Sequence, residues 1–148
     1  MTLPSRLLPL LACLPLAGCL QDTASYSFPE KDHAIVLVRN QTWFWLDTVD
    51  VEVIATRLPE CNGGLSIKKV PLNTRIDFYQ APDEYPEPVH LLKSGKRVFA
   101  VSTQSCRVQE FKDVPEDLDM GTKLGAFRVK DDVFQYVPAD PSGKPEKE

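Results

Sequence analysis

The sequence predicts an all-β protein: a small antiparallel β-sandwich or barrel of about eight short strands, held by one disulfide. Between residues 33 and 137, apolar and polar side chains alternate with a period of two in one segment after another. Such alternation sends successive residues to opposite faces of a pleated strand. From Cys19 onward there are 14 Val, 4 Ile, 7 Thr, 7 Phe, 4 Tyr and 2 Trp against 10 Leu, 7 Ala and 1 Met, a β-branched and aromatic composition that suits strands. No ten-residue stretch carries the apolar stripe of an amphipathic helix. A length of 148 residues suits one domain, and a formal charge of −4 spread along the chain excludes the basic footprint of a nucleic-acid binder.

Residues 1–18 stand apart. Arg6 is the only charge before Asp22, and Leu7 to Leu16 is an uncharged apolar run containing Pro9 and Pro15. A positive start, a short apolar run and small residues at the exit make a secretory signal peptide. The run is shorter than the roughly 20 residues a transmembrane helix needs, and its prolines break a helix. Without residues 1–18, Arg6 and seven leucines are lost, and the formal charge becomes −5.

The exit, Leu16-Ala17-Gly18-Cys19, resembles the lipobox of bacterial lipoproteins at all four positions. The resemblance covers residues 1–19 and implies a diacylglycerol on the Cys19 sulfur, cleavage before Cys19 and, usually, acylation of the new amine. Each buried methylene contributes ~0.8 kcal/mol, so two or three chains anchor a protein stably where one does not. The membrane is thus the first expected partner. Leu20 follows the cysteine where aspartate would retain an enterobacterial lipoprotein at the inner membrane, so the expected location is the outer membrane.

Residues 19–32 read as the lipidated end and a polar tether, with no consistent period. The β-rich domain spans 33–137. His33 to Val38 is an apolar run fit for a central strand; Val49, Val51, Val53 and Ala55 form one apolar side of the next. Cys61-Asn-Gly-Gly64 reads as a turn. Segments 65–70 and 75–79 follow, then 89–92 and 97–102 around Ser94-Gly95, then 106–111. Segments 124–130 and 133–137 flank Asp131-Asp132, the spacing of a hairpin. Val114 to Met120 offers a single helical turn at most. The tail, 138–148, has three prolines and no bulky apolar residue and is expected to be disordered.

With Cys13 in the signal and Cys19 carrying lipid, Cys61 and Cys106 remain, and an oxidising compartment favours their pairing. Catalytic chemistry is thin. His33 and His90 lie in no metal-binding spacing, and there is no nucleophile elbow, P-loop or dinucleotide fingerprint. The adjacent acids Asp83-Glu84 and Glu116-Asp117 read as solvated loop charges. No enzyme activity, cofactor or metal is expected.

Two features suit binding. Trp43-Phe44-Trp45 would place both indoles on one face of an extended segment; core packing on both sides is the expected arrangement, while exposed indoles would stack on a sugar or grip a partner. Gln80 to Pro88 is a stiff acidic loop carrying Tyr85, either a rigid spacer or a presented epitope. The leading functional expectation is a membrane-anchored envelope lipoprotein, a non-enzymatic module for an envelope protein partner. The alternatives are a glycan or small-ligand binder using Trp43 and Trp45, and a periplasmic hydrolase with a scattered site.

Overall fold

The computed structural model describes residues 19–30 and 32–141. The expected signal peptide and most of the expected disordered tail lie outside the described residues. The described residues form ten strands: β1 (Gln21–Ser27), β2 (His33–Asn40), β3 (Thr48–Arg57), β4 (Cys61–Pro71), β5 (Ile76–Gln80), β6 (His90–Ser94), β7 (Arg97–Ser102), β8 (Arg107–Glu110), β9 (Thr122–Lys130) and β10 (Val133–Pro138). They make two antiparallel sheets, β1-β2-β3-β4 and β10-β9-β5-β6-β7-β8. The architecture is therefore a sandwich and not a closed barrel, with ten strands where about eight were expected.

The strand with no counterpart among the segments named from the sequence is β1, which occupies the stretch read as a tether. Only Asp22, Ala24 and Tyr26 point inward along it, and its outward residues are Gln, Thr and Ser. One small apolar residue, one aromatic and one acid give too weak an alternation to register in the sequence. The strand forms because each inward residue meets a partner supplied by other segments. Asp22 sits opposite Arg39, and the Tyr26 ring lies 5.0 Å from Phe78 and 4.9 Å from Tyr136.

The core between the sheets follows the predicted alternation. Ile35 and Leu37 from β2, Val49, Val51, Val53 and Ala55 from β3, Ile76 and Phe78 from β5, Phe99 and Val101 from β7 and Phe127 from β9 are buried together. A second cluster lies on the outer face of β6 and β7, where the 81–89 loop and residues 111–120 fold over Leu91 and Val98. The six-stranded sheet is thus covered on both sides near its centre. Residues 114–120 form a turn there, with the Leu118 amide donating to the Pro115 carbonyl, instead of a helical turn.

Neither pair of sheet edges is hydrogen-bonded into a ladder, and each seam is closed by side chains. Tyr26 against Tyr136, and Arg39 over the Phe134 ring at 4.1 Å, bring β1 and β2 to β10. On the other side a disulfide joins Cys61, at the start of β4, to Cys106, just before β8. Cys61-Asn-Gly-Gly64 is the opening of β4 and not a turn; the chain reverses at 58–60 instead. Neither glycine there has positive φ. Their use is close approach: a Cβ on Gly63 would collide with the Cys106 carbonyl, so only glycine lets the two cysteines meet. The β9–β10 hairpin turns on Asp131 and Asp132 at φ 52° and 62°, a type I′ turn built without glycine.

His90 faces inward on β6 in an aromatic cage. Its ring stacks on Phe78 at 5.3 Å and meets the Phe28 edge at 4.8 Å, and its Nδ1 has no hydrogen-bond partner. Burial favours the neutral ring and lowers its pKa from 6.5 to about 4. The unfolded chain therefore takes up this proton first. Stability contributed by neutral His90 is present in full above pH 6.5 and is lost as pH falls toward 4, to a total of about 3 kcal/mol. Urea unfolding at pH 7 and pH 4.5 should show this decline, and His90→Leu should flatten it. Equal pH slopes in the two proteins would contradict the cage.

Candidate functional site

The sandwich has two distinguishable ends. At one end, the start of β2 meets the close of β7 through His33 Nδ1 and Thr103 Oγ1, 3.4 Å apart, and the disulfide lies nearby. At the other, the close of β2 meets the start of β10 through Arg39 and Phe134. Eight residues of β2 separate the ends by roughly 25 Å at about 3.3 Å per residue.

Cys19 enters at the Arg39 end. Its thiol is exposed and unpaired, and Sγ lies 3.6 Å from the Thr42 carbonyl oxygen. Leu20 packs against the core, and its carbonyl accepts from the Gln41 amide at 2.9 Å. No spacer separates Cys19 from the folded body, which corrects the expectation of a tether lifting the domain.

Beside Cys19 the β2–β3 connection carries the tryptophan triplet, and the expected core packing does not occur. Trp43, Phe44 and Trp45 are 54%, 60% and 63% exposed. The segment is a turn and not a strand, with the Leu46 amide donating to the Trp43 carbonyl at 3.0 Å. The two indoles stack at 5.1 Å and 16°, and Phe44 meets Trp45 edge-on at 4.8 Å. The buried Gln41 side chain donates to the Leu46 carbonyl, and the Leu72 amide donates to the Asp47 carbonyl at 2.8 Å. The knob is thus fixed from beneath. Its flank is a shallow depression lined by Trp43, Leu46, Val49, Lys68 and Lys69. The lysines project there because β4 bulges opposite Val49 and Val51, with Lys69 at φ 57° and Asp50 holding Lys68 at 2.8 Å.

Beneath the same end lies Arg39, which sequence reasoning passed over. It is only 4% exposed, forms a two-pronged pair with Asp22 (2.8 and 2.6 Å) and donates to the Leu72 carbonyl at 2.7 Å. Its signal was its phase, two residues beyond Leu37 and so on the inward face.

Tyr85 belongs to the opposite end. It is not an exposed loop tip but half-buried against the outer cluster of Leu91 and Val98. There it borders a cleft of about 350 Å³, together with Glu87, Ser102, Arg107, Gln109 and Phe111. The Ser105 hydroxyl donates to Glu87 at 2.7 Å and pins the loop to the turn before β8. Trp43 and Trp45 therefore share one surface, and Tyr85 belongs to another.

The remaining candidates do not assemble. His33 and His90 both border the Phe28 ring, with centroids at 6.4 and 4.8 Å. Among the described residues, no group of three His, Cys, Asp or Glu is placed to hold a metal ion. Asp83, Glu84, Glu116 and Asp117 are solvent-exposed. No helix among the described residues is long and apolar enough to cross a membrane.

The chain matches no known family model, no curated protein and no solved structure. A rigid, self-stacked aromatic knob offers apolar surface and indole N–H donors to a wet interface. A cleft mixing a phenol, a guanidinium and a phenyl ring offers the residue types enriched where proteins bind proteins.

Proposed function

We propose that this protein is a bacterial envelope lipoprotein, anchored through lipid on Cys19 at the outer membrane, that acts as a non-enzymatic binding module for a protein partner. The observation that carries this reading is the polarity of the sandwich. The chain enters at one end through an exposed cysteine in a lipobox-like context, and the Tyr85 cleft lies toward the other, clear of the anchor. The histidines support a non-catalytic reading: His90 is caged by aromatic rings with its pKa lowered to about 4 by burial, and His33 faces a threonine hydroxyl.

Two measurements test the two halves of the reading. Cys19→Ser is expected to move the protein from the membrane fraction to an unlipidated or unprocessed form; an unchanged membrane fraction would overturn the anchor. A photo-crosslinking residue at Tyr85 is expected to give one discrete envelope-protein adduct that Arg107→Glu reduces. Absence of any adduct, or one indifferent to Arg107, would count against the cleft as the partner site.

A glycan-binding reading draws on the exposure of Trp43 and Trp45. The indoles stack on each other and Phe44 meets Trp45 edge-on, yet both remain more than half exposed, and that exposed ring surface is what a sugar would contact. Unchanged indole fluorescence across soluble cell-wall sugars would remove it.

A further inference from the structure

We infer that the Trp43-Phe44-Trp45-Leu46 loop is a membrane contact, seating its rings in the lipid headgroup region beside the Cys19 anchor and holding the sandwich end-on against the bilayer. The inference deepens the lipid-anchored reading and rests on it. Leu20 is packed into the body, so lipid on Cys19 starts one residue, about 3.8 Å of chain, from the folded surface. The sulfur that would carry the diacylglycerol lies 3.6 Å from the Thr42 carbonyl, immediately before the triplet. Acyl chains leaving that sulfur into a bilayer bring the loop to the level of the lipid glycerol.

The surface at this end fits that position. Trp43, Phe44, Trp45 and Leu46 are four of the seven exposed large apolar residues among those described, and they are consecutive in this loop at the Arg39 end. A patch of this kind on a water-facing surface calls for a covering. Indoles favour the membrane–water interface, where ring and N–H meet apolar and polar surroundings together. Lys69 borders the loop and stands where anionic lipid phosphates would be, beside Lys68, which is paired with Asp50 at 2.8 Å. The fixed loop leaves little conformational entropy to lose on contact.

Trp43 and Trp45 are the only tryptophans in the chain, so intrinsic fluorescence reports on this loop alone. The test uses the full protein purified from its own membranes, with the mass of any acyl adduct on Cys19 measured first. It is reconstituted in phosphatidylethanolamine–phosphatidylglycerol vesicles containing brominated lipids. Expected is strong quenching by bromine near the glycerol, weaker quenching by bromine near the chain ends, and protection from aqueous iodide. Phe44→Asp keeps both reporters and the anchor, and should raise iodide quenching by about twofold as the charge draws the loop into water. A chain that is acylated and vesicle-bound, yet indifferent to bromine and open to iodide, overturns the loop contact and leaves the anchor standing. A chain without acyl groups that does not float with vesicles overturns both. A chain without acyl groups that is nevertheless quenched by bromine overturns the anchor and supports the loop as a membrane contact in its own right.

Discussion

Replacing Cys61 and Cys106 together by alanine is expected to lower the unfolding free energy by about 4 kcal/mol. The bond closes a separation of 45 residues, and its loss returns that loop entropy to the unfolded chain. Total stability for a domain of this size is about 5–15 kcal/mol, so the change takes a large share of it. The bond also closes the seam between β4 and the four-residue β8, where no ladder joins the two sheets. Denaturant unfolding of the oxidised protein and the double variant measures the total. Amide exchange should show β8 losing protection first, before the centre of the six-stranded sheet. An unchanged midpoint, or a loss spread evenly over the fold, would show that the side-chain packing of the seam suffices without the bond. Gly63→Ala should shift the midpoint in the same direction, because its methyl occupies the space of the Cys106 carbonyl.

Asp22→Ala is expected to cost about 3 kcal/mol, far above the 0–1 kcal/mol of a surface ion pair. The Arg39 guanidinium is nearly sealed from water, and Asp22 is its anionic partner, accepting from both Nε and Nη2. Removing the acid leaves a buried cation with the Leu72 carbonyl and the Phe134 ring as neighbours. Asp22 keeps about a quarter of its surface in water, which sets the estimate at the low end of the buried range. The double variant Asp22→Ala/Arg39→Met should recover part of the loss, since a methionine fills the space without a charge. A cost below about 0.5 kcal/mol for Asp22→Ala would mean that solvent reaches Arg39 freely. The variant also probes the attachment of β1, because Asp22 is the inward residue nearest the Cys19 end of that strand.

These two expectations rest on features of different legibility. The disulfide followed from cysteine arithmetic: once Cys13 and Cys19 were assigned elsewhere, two cysteines remained in a chain expected to leave the cytoplasm. The Arg39–Asp22 pair was hidden, because an arginine after an apolar run reads as the end of a strand. Only its register opposite Asp22 makes it a buried partner. The strand carrying Asp22 was hidden for the same reason, since its polar residues match a linker as well as an edge strand.

The candidate surfaces were half legible. The sequence marked Trp43, Trp45 and Tyr85 as unusual. It could not say that the triplet is a turn held by Gln41, or that Tyr85 lies folded against the sheet. Exposure is a property of what covers a residue, and covering segments come from distant parts of the chain.

Local patterning by itself determined the β class and the inward positions of Val49, Val51, Val53 and Ala55, because period-two alternation is a property of the strand alone. The tertiary structure decided that the strands form two sheets meeting at side-chain seams, that β1 belongs to one of them, and that Cys19 and the aromatic loop share an end while Tyr85 belongs to the other. Those outcomes depend on which segments become neighbours in space. That choice is made by long-range packing, with Leu20 packed against the core, Arg39 against Asp22 and Cys61 bonded to Cys106.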